Sequence, residues 1–173
     1  MKRLLVVVDY QNDFVCGSLG FDKAKELEDR IVYLIKEYRM NGDEVIYTMD
    51  THQSNYLDTY EGQHLPIEHC IEHSEGWQLY GKVKDLLQDS LCFKKNTFPS
   101  LDLAYYLEDK KYKDITFVGL VSNICVISNA IMAKAAQCET PIRVDLKGIG
   151  SSDEKAHQAC IEVMKSLQIE MIE

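Results

Sequence analysis

Short runs of aliphatic and β-branched residues recur along the chain and alternate with longer stretches whose apolar positions follow a helical period. That alternation is the pattern of a parallel sheet with crossover helices. Strands are predicted over Arg3–Asp9, Glu44–Asp50, Leu91–Lys94, Ile115–Leu120, Pro141–Asp145 and Ile169–Ile172. Between the first two, Asp22–Met40 sets Leu27, Ile31, Leu34, Ile35 and Tyr38 on one helical face and ends at Asn41-Gly42. Ser100–Lys111 and Ser152–Leu167 each open with a residue suited to capping, and another helix is expected from Ser122 to Ala136. The implied fold is α/β, a three-layer Rossmann-like arrangement of a mainly parallel sheet of about six strands with helices on both faces.

The 173 residues contain no repeat, low-complexity tract or Pro/Gly-rich linker, so one domain over 1–173 is expected. A net charge of -9 with no basic run argues against a nucleic-acid partner. The apolar run Leu4-Leu5-Val6-Val7-Val8 meets Asp9 too soon for a signal-peptide core, and no apolar stretch reaches membrane-spanning length. No membrane partner and a cytoplasmic location are therefore expected. The six cysteines are widely spaced without a CxxC pair, and they read as reduced thiols.

The chemistry-bearing residues fall where strands end. Cys125 lies in the turn between the strand Ile115–Leu120 and the following helix, where free backbone N–H groups favour a thiolate. Taken alone it reads equally well as a small buried apolar residue. Asp9 closes an apolar run, so its carboxylate is partly desolvated and suited to proton transfer, or else caps a loop. Lys95 ends the third strand and can supply a countercharge, although a lone lysine is usually solvated. Together they form a device in which Asp9 accepts the Cys125 proton, Lys95 balances charge and Cys125 attacks a carbonyl, with Val121 and Cys125 backbone N–H groups receiving the oxyanion. The stretch Thr51–Gly76 has no clean period, a mark of a functional loop. Asp50 and His52 at i, i+2 could share one ion with Glu61, His64 or His69, a mixed donor set suited to Zn, Fe or Mn; a solvated polar loop is the plainer alternative.

The segments Val7-Val8-Asp9-Tyr10-Gln11-Asn12-Asp13-Phe14, Lys95-Asn96-Thr97-Phe98-Pro99-Ser100 and Gly119-Leu120-Val121-Ser122-Asn123-Ile124-Cys125-Val126 resemble the three signatures of the isochorismatase-like cysteine hydrolases, in order and in spacing. The stretch from Thr48 through Glu61-Gly62 and Leu65–Cys70 to Glu75-Gly76-Trp77 resembles the metal-binding loop of the nicotinamidase/pyrazinamidase branch. Pro99 stands where the family has glycine, and Asn123 where aspartate is common.

The resemblance implies a catalytic triad of Asp9, Lys95 and Cys125 and a cis peptide at Leu120-Val121 that turns the Val121 N–H inward. It implies one divalent metal ion on Asp50, His52 and His69, with Glu61 rather than His64 as the fourth ligand, and Phe14 in the substrate pocket. The implied activity is metal-assisted hydrolysis of nicotinamide to nicotinate and ammonia through a Cys125 thioester, a step of NAD salvage. The alternatives are a related hydrolase of another small amide or carbamoyl compound, and a catalytically silent binding protein of the same fold. The expected partner is thus a small-molecule amide. Members of the family often self-associate, which leaves a homo-oligomer open.

Overall fold

A computed structural model describes residues 1–173. Six strands form one sheet: β1 (Leu4–Val8), β2 (Glu44–Asp50), β3 (Cys92–Lys95), β4 (Ile115–Leu120), β5 (Ile142–Gly150) and β6 (Glu170–Ile172). All pairings are parallel, in the order β3-β2-β1-β4-β5-β6. The helices are α1 (Asn12–Val15), α2 (Asp22–Glu26), α3 (Glu28–Met40), α4 (Tyr60–His64), α5 (Gly81–Leu86), α6 (Leu101–Glu108), α7 (Ile127–Ala136) and α8 (Glu154–Ser166).

The two-residue period of the central strands divides the core into two layers. Leu4, Val6, Val8, Ile115 and Phe117 face one side, where they pack with Leu103 and Leu107 of α6, Ala130 and Ala133 of α7, and Met164 of α8. Leu5, Val7, Val118 and Leu120 face the other, against Ile31, Ile35 and Tyr38 of α3 and Val83 of α5. β1 is fully buried on both faces, which is why its sequence shows no alternation of apolar and polar residues.

Where elements depart from their predicted bounds, local chemistry explains most of the difference. Ser100 and Asp153 sit outside their helices as caps, accepting from the N–H groups of Leu103 (3.1 Å) and Ala156 (2.9 Å). The stretch Asp22–Met40 is interrupted at Leu27, between α2 and α3. Strand β5 runs past its predicted end at Asp145 to Gly150, because a register shift opposite Phe117/Gly119 lets it rejoin β4. The predicted helix Ser122–Ala136 opens as a wide turn, in which the Val126 N–H reaches back five residues to the Val121 carbonyl (3.2 Å), and becomes α-helical only at Ile127. The long loop contains a single 3₁₀ turn, Tyr56–Asp58, and α4. All six cysteines are unpaired thiols, and no helix is long and apolar enough to cross a membrane.

Gly119 has φ +115, and a Cβ there would overlap the Val8 carbonyl oxygen of the neighbouring strand. Only glycine lets β4 lie this close to β1 at the point where both strands deliver site residues. Gly119→Ala is expected to lose more than about 2 kcal/mol in urea denaturation, from a disfavoured φ and backbone overlap together. An unchanged midpoint would contradict this reading of the sheet.

Candidate active site

The strand order sets the carboxyl ends of β3, β2, β1 and β4 side by side, and the chain reverses its winding between β1 and β4. Ligands of open parallel sheets bind at such a reversal. Four predicted residues arrive there: Lys95 on β3, Asp50 on β2, Asp9 just past β1, and Cys125 in the turn after β4. Asp9 adopts φ +45, which ends β1 and turns the chain into α1.

Lys95 is the centre of the group. Its Nζ lies 2.6 Å from Asp9 Oδ2, 3.5 Å from Asp50 Oδ1 and 3.7 Å from Cys125 Sγ. All four residues are buried, with Asp9 at 0 % and Lys95 at 7 % exposure. Thr48 Oγ1 donates to Asp9 Oδ1 at 2.6 Å. The neighbouring Lys94 points outward to Glu72 (2.8 Å) and lies over the Trp77 ring, so the alternation of β3 selects Lys95 for the interior.

Burial dominates the proton affinities. It pushes the Asp9 carboxyl above the ordinary carboxylate range, with Asp50 adding to the effect and Lys95 and Thr48 opposing it. Burial also pushes the Cys125 thiol well above its ordinary value, and the Lys95 charge reverses this only in part. For Lys95 burial acts downward, but the charges of Asp9, Cys125 and Asp50 outweigh it and hold the ammonium. Burial thus favours the protonated sulfur, beside the Lys95 ammonium. The turn's free N–H groups favour the thiolate, and desolvation of the sulfur opposes them.

The metal-type donors form a second cluster against the first. One atom each from Asp50, His52, Glu61 and His69 lies within 4.8 Å of all the others. His52 Nε2 is 3.1 Å from Asp50 Oδ2 and 3.7 Å from Glu61 Oε1, and His69 Nε2 is 3.4 and 3.6 Å from the same two atoms. A tetrahedron with bonds of about 2.1 Å has edges of about 3.4 Å, so two imidazoles and two carboxylates at this spacing fit a small divalent ion. The His69 Nδ1 lies 2.9 Å from the Ile67 carbonyl, a bond that leaves Nε2 free to act as a donor atom towards an ion. For Asp50, burial acts upward, but Lys95, His52 and His69 outweigh it and hold the carboxyl below its usual range.

The loop is built to carry these residues. The His52 N–H donates to the Cys70 carbonyl (2.9 Å) and the Glu72 N–H to the His52 carbonyl (2.8 Å), a strand-like pairing that brings His69 beside His52. Thr59 caps α4 through the Gly62 N–H (3.1 Å) and so fixes Glu61. The Tyr56 ring packs on both imidazoles, with centroids 4.7 and 4.9 Å away. His64, exposed and bonded to the Tyr60 carbonyl, stands apart from the cluster.

A groove of about 900 Å³ is lined by two of the donors, His52 and Glu61, together with Tyr60, Asn96, Phe98 and Ile124. The Val121 N–H, which follows a cis peptide at Leu120-Val121, donates no backbone hydrogen bond. Phe14 is buried beside His69, with ring centroids 5.6 Å apart. Thr48 and Tyr56 were not foreseen. An ordinary strand threonine and a loop tyrosine carry no signal until the chain brings Asp9 and the two histidines to them.

This geometry, a three-layer α/β fold with a buried cysteine, carboxylate and lysine beside a metal-type cluster, defines a class of cysteine hydrolase folds. The isochorismatase domain model matches residues 3–173, and the chain belongs to the isochorismatase family. The uncharacterized isochorismatase family protein PncA of Bacillus subtilis is 32 % identical over 150 residues, covering 77 % of this chain and 79 % of that protein. The crystal structure of nicotinamidase PncA from Bacillus subtilis superposes with a TM-score of 0.88 at 26 % identity, with full coverage (100 %) of both chains. The pyrazinamidase of Pyrococcus horikoshii, solved in complex with zinc, has a TM-score of 0.87 at 22 % identity, covering 100 % of this chain and 99 % of that one. The chain is thus a hydrolase of the nicotinamidase-like branch.

A thiol held above its ordinary value predicts how Cys125 reacts. Its alkylation by iodoacetamide, followed on the Cys125 peptide by mass spectrometry, is expected to keep accelerating beyond pH 9, since the thiolate fraction still grows there. A rate that levels off below pH 8 would show a resting thiolate instead.

Proposed function

We propose that this protein is a metal-assisted amidohydrolase that converts nicotinamide and water to nicotinate and ammonia through a thioester on Cys125. The observation that carries the proposal is the Lys95 ammonium, within 3.7 Å of Cys125 Sγ and 2.6 Å of Asp9, joined through Asp50 to the four-donor cluster.

In this reading Asp9 takes the Cys125 proton as the sulfur attacks the amide carbon. Burial raises the proton affinity of Asp9, which makes it a stronger base than a solvated carboxylate. Lys95 keeps the buried negative charge from accumulating as the proton moves. The oxyanion lies against the N–H groups of Val121 and Cys125. Asp9 then passes the proton to the amide nitrogen, the C–N bond breaks and ammonia leaves. Asp9 next removes a proton from water, the hydroxyl oxygen bonds to the acyl carbon, the C–S bond breaks, and the proton returns to sulfur.

Asp50, His52, Glu61 and His69 are the residues that would hold one divalent ion. Such an ion supplies a Lewis-acidic position that can accept the ring nitrogen of a pyridine amide. The zinc complex of the Pyrococcus horikoshii relative makes zinc the first ion to test, with iron and manganese next. A small neutral amide also suits a groove whose walls mix aromatic, apolar and amide side chains.

Ammonia release from nicotinamide by the zinc-loaded protein is expected to fall at least about 10³-fold in Cys125→Ala and in Asp9→Asn. Retained turnover in Cys125→Ala would overturn the thioester route. A panel of primary amides separates the nicotinamide reading from its rival. A preference for a carbamoyl or other non-pyridine amide, with no metal requirement, would reject nicotinamide as the substrate.

A further inference from the structure

Gln11 is fully buried and has no part in the chemistry proposed above. The ladder between β1 and β2 runs from Leu4 opposite Glu44 to Val8 opposite Thr48 and goes no further, since the chain turns at Asp9. Asp50 lies two residues beyond that last pair. A buried backbone N–H and C=O left without partners would each cost free energy comparable to a lost hydrogen bond. The Gln11 carboxamide supplies both partners. Its Oε1 accepts from the Asp50 N–H (2.8 Å) and its Nε2 donates to the Asp50 carbonyl (2.9 Å), so it stands in for a peptide group of the missing strand.

The same amide reaches further. Nε2 also donates to the Trp77 carbonyl (2.8 Å), and the Trp77 indole N–H donates to Thr51 Oγ1 (2.9 Å). On the opposite edge the Thr51 N–H donates to the Lys95 carbonyl (2.7 Å), which holds the end of β2 from both sides. Gln11 is tied to Asp9 as well, by its own N–H donating to the Asp9 carbonyl at 2.8 Å. One residue therefore sets the backbone of Asp50 against the backbone of Asp9, the two carboxylates that share Lys95.

We propose that Gln11 is a positioning residue that holds Asp50 for the divalent ion and, through the same bonds, keeps the metal ligands in register with the Asp9–Lys95–Cys125 group. The inference rests on the amidohydrolase reading with Asp50 as a ligand. It makes ion affinity and turnover depend on a side chain that touches neither the ion nor the substrate.

Two variants test it. Gln11→Met keeps the length and removes all three side-chain bonds; Gln11→Glu keeps an acceptor for the Asp50 N–H and loses both donated bonds. Zinc affinity of the metal-free proteins is measured by competition with a chromophoric chelator, and kcat and KM for nicotinamide on the zinc-loaded ones. Zinc Kd is expected to weaken about 10- to 100-fold in each variant, with kcat falling more than KM changes. A residue that merely fills polar space would lower the urea midpoint and leave zinc Kd unmoved.

Variants that bind zinc within twofold of the parent overturn the role of Gln11 and leave the amidohydrolase reading intact. A parent protein that binds none of zinc, iron and manganese overturns the metal site, and this inference with it. If Gln11→Met fails to fold, Gln11→Glu is judged by the same criteria. The parent offers a measurement that needs no variant: the Asp50 amide is expected to be protected from hydrogen exchange in the metal-free protein, and rapid exchange would show that the clamp does not form.

Discussion

A single buried ammonium organises this protein. Lys95 is the one side chain that pairs with Asp9, Asp50 and the Cys125 sulfur together, and all of them are withdrawn from water. Removing one partner of a buried pair leaves an uncompensated charge at a cost of several kcal/mol, so these strand ends must converge as they do. Asp50 is also shared with His52 and His69, and Glu61 brings a third carboxylate to the same two imidazoles, so acidic groups outnumber the lysine. Burial and Asp50 both press Glu61 towards the neutral form. A divalent cation among Asp50, His52, Glu61 and His69 corrects that imbalance. The nucleophile and the metal-type cluster are thus two sides of one electrostatic problem, with Asp50 belonging to both.

The fold that enforces this convergence needs little beyond the apolar pattern. Parallel strands buried on both faces bring their carboxyl ends to one edge, and close contact between β1 and β4 at Gly119 brings Asp9 near the Cys125 turn. The metal-type loop is different in kind. It has little regular structure and keeps its shape through specific polar bonds: His52 to Cys70, Thr59 to Gly62, and the Asp13 carboxylate to the Cys70 N–H at 2.7 Å. The rigid sheet supplies Asp9, Lys95 and Asp50, while the pinned loop supplies Glu61 and His69.

This division explains what could be read from the sequence. The five-residue apolar run of β1, the helical face of α3, the capping residue before α8 and the pattern switch before Cys125 are local signals, and each marks its element in outline. Asp9 and Cys125 stood out because polar or reactive residues at the ends of apolar strands must go somewhere. Lys94 and Lys95 are told apart by the alternation of β3, which buries Lys95 and turns Lys94 to Glu72. Thr48, Tyr56 and Gln11 were silent, because their partners lie far along the chain. The packing of Phe14 on His69 is equally silent in the sequence, because their contact spans 55 residues. The proton affinity of Cys125 is likewise not legible locally, since desolvation depends on everything packed around the sulfur.

The shared ammonium can be tested by urea denaturation of two proteins, Lys95→Met and Lys95→Met combined with Asp9→Asn. Methionine keeps the length and removes the charge, so the single variant is expected to lose about 3–5 kcal/mol. Neutralising Asp9 in the double variant then removes one stranded carboxylate, and part of that loss is expected to return. A single variant within about 1 kcal/mol of the parent, or a double variant no more stable than the single, would contradict the central role of Lys95.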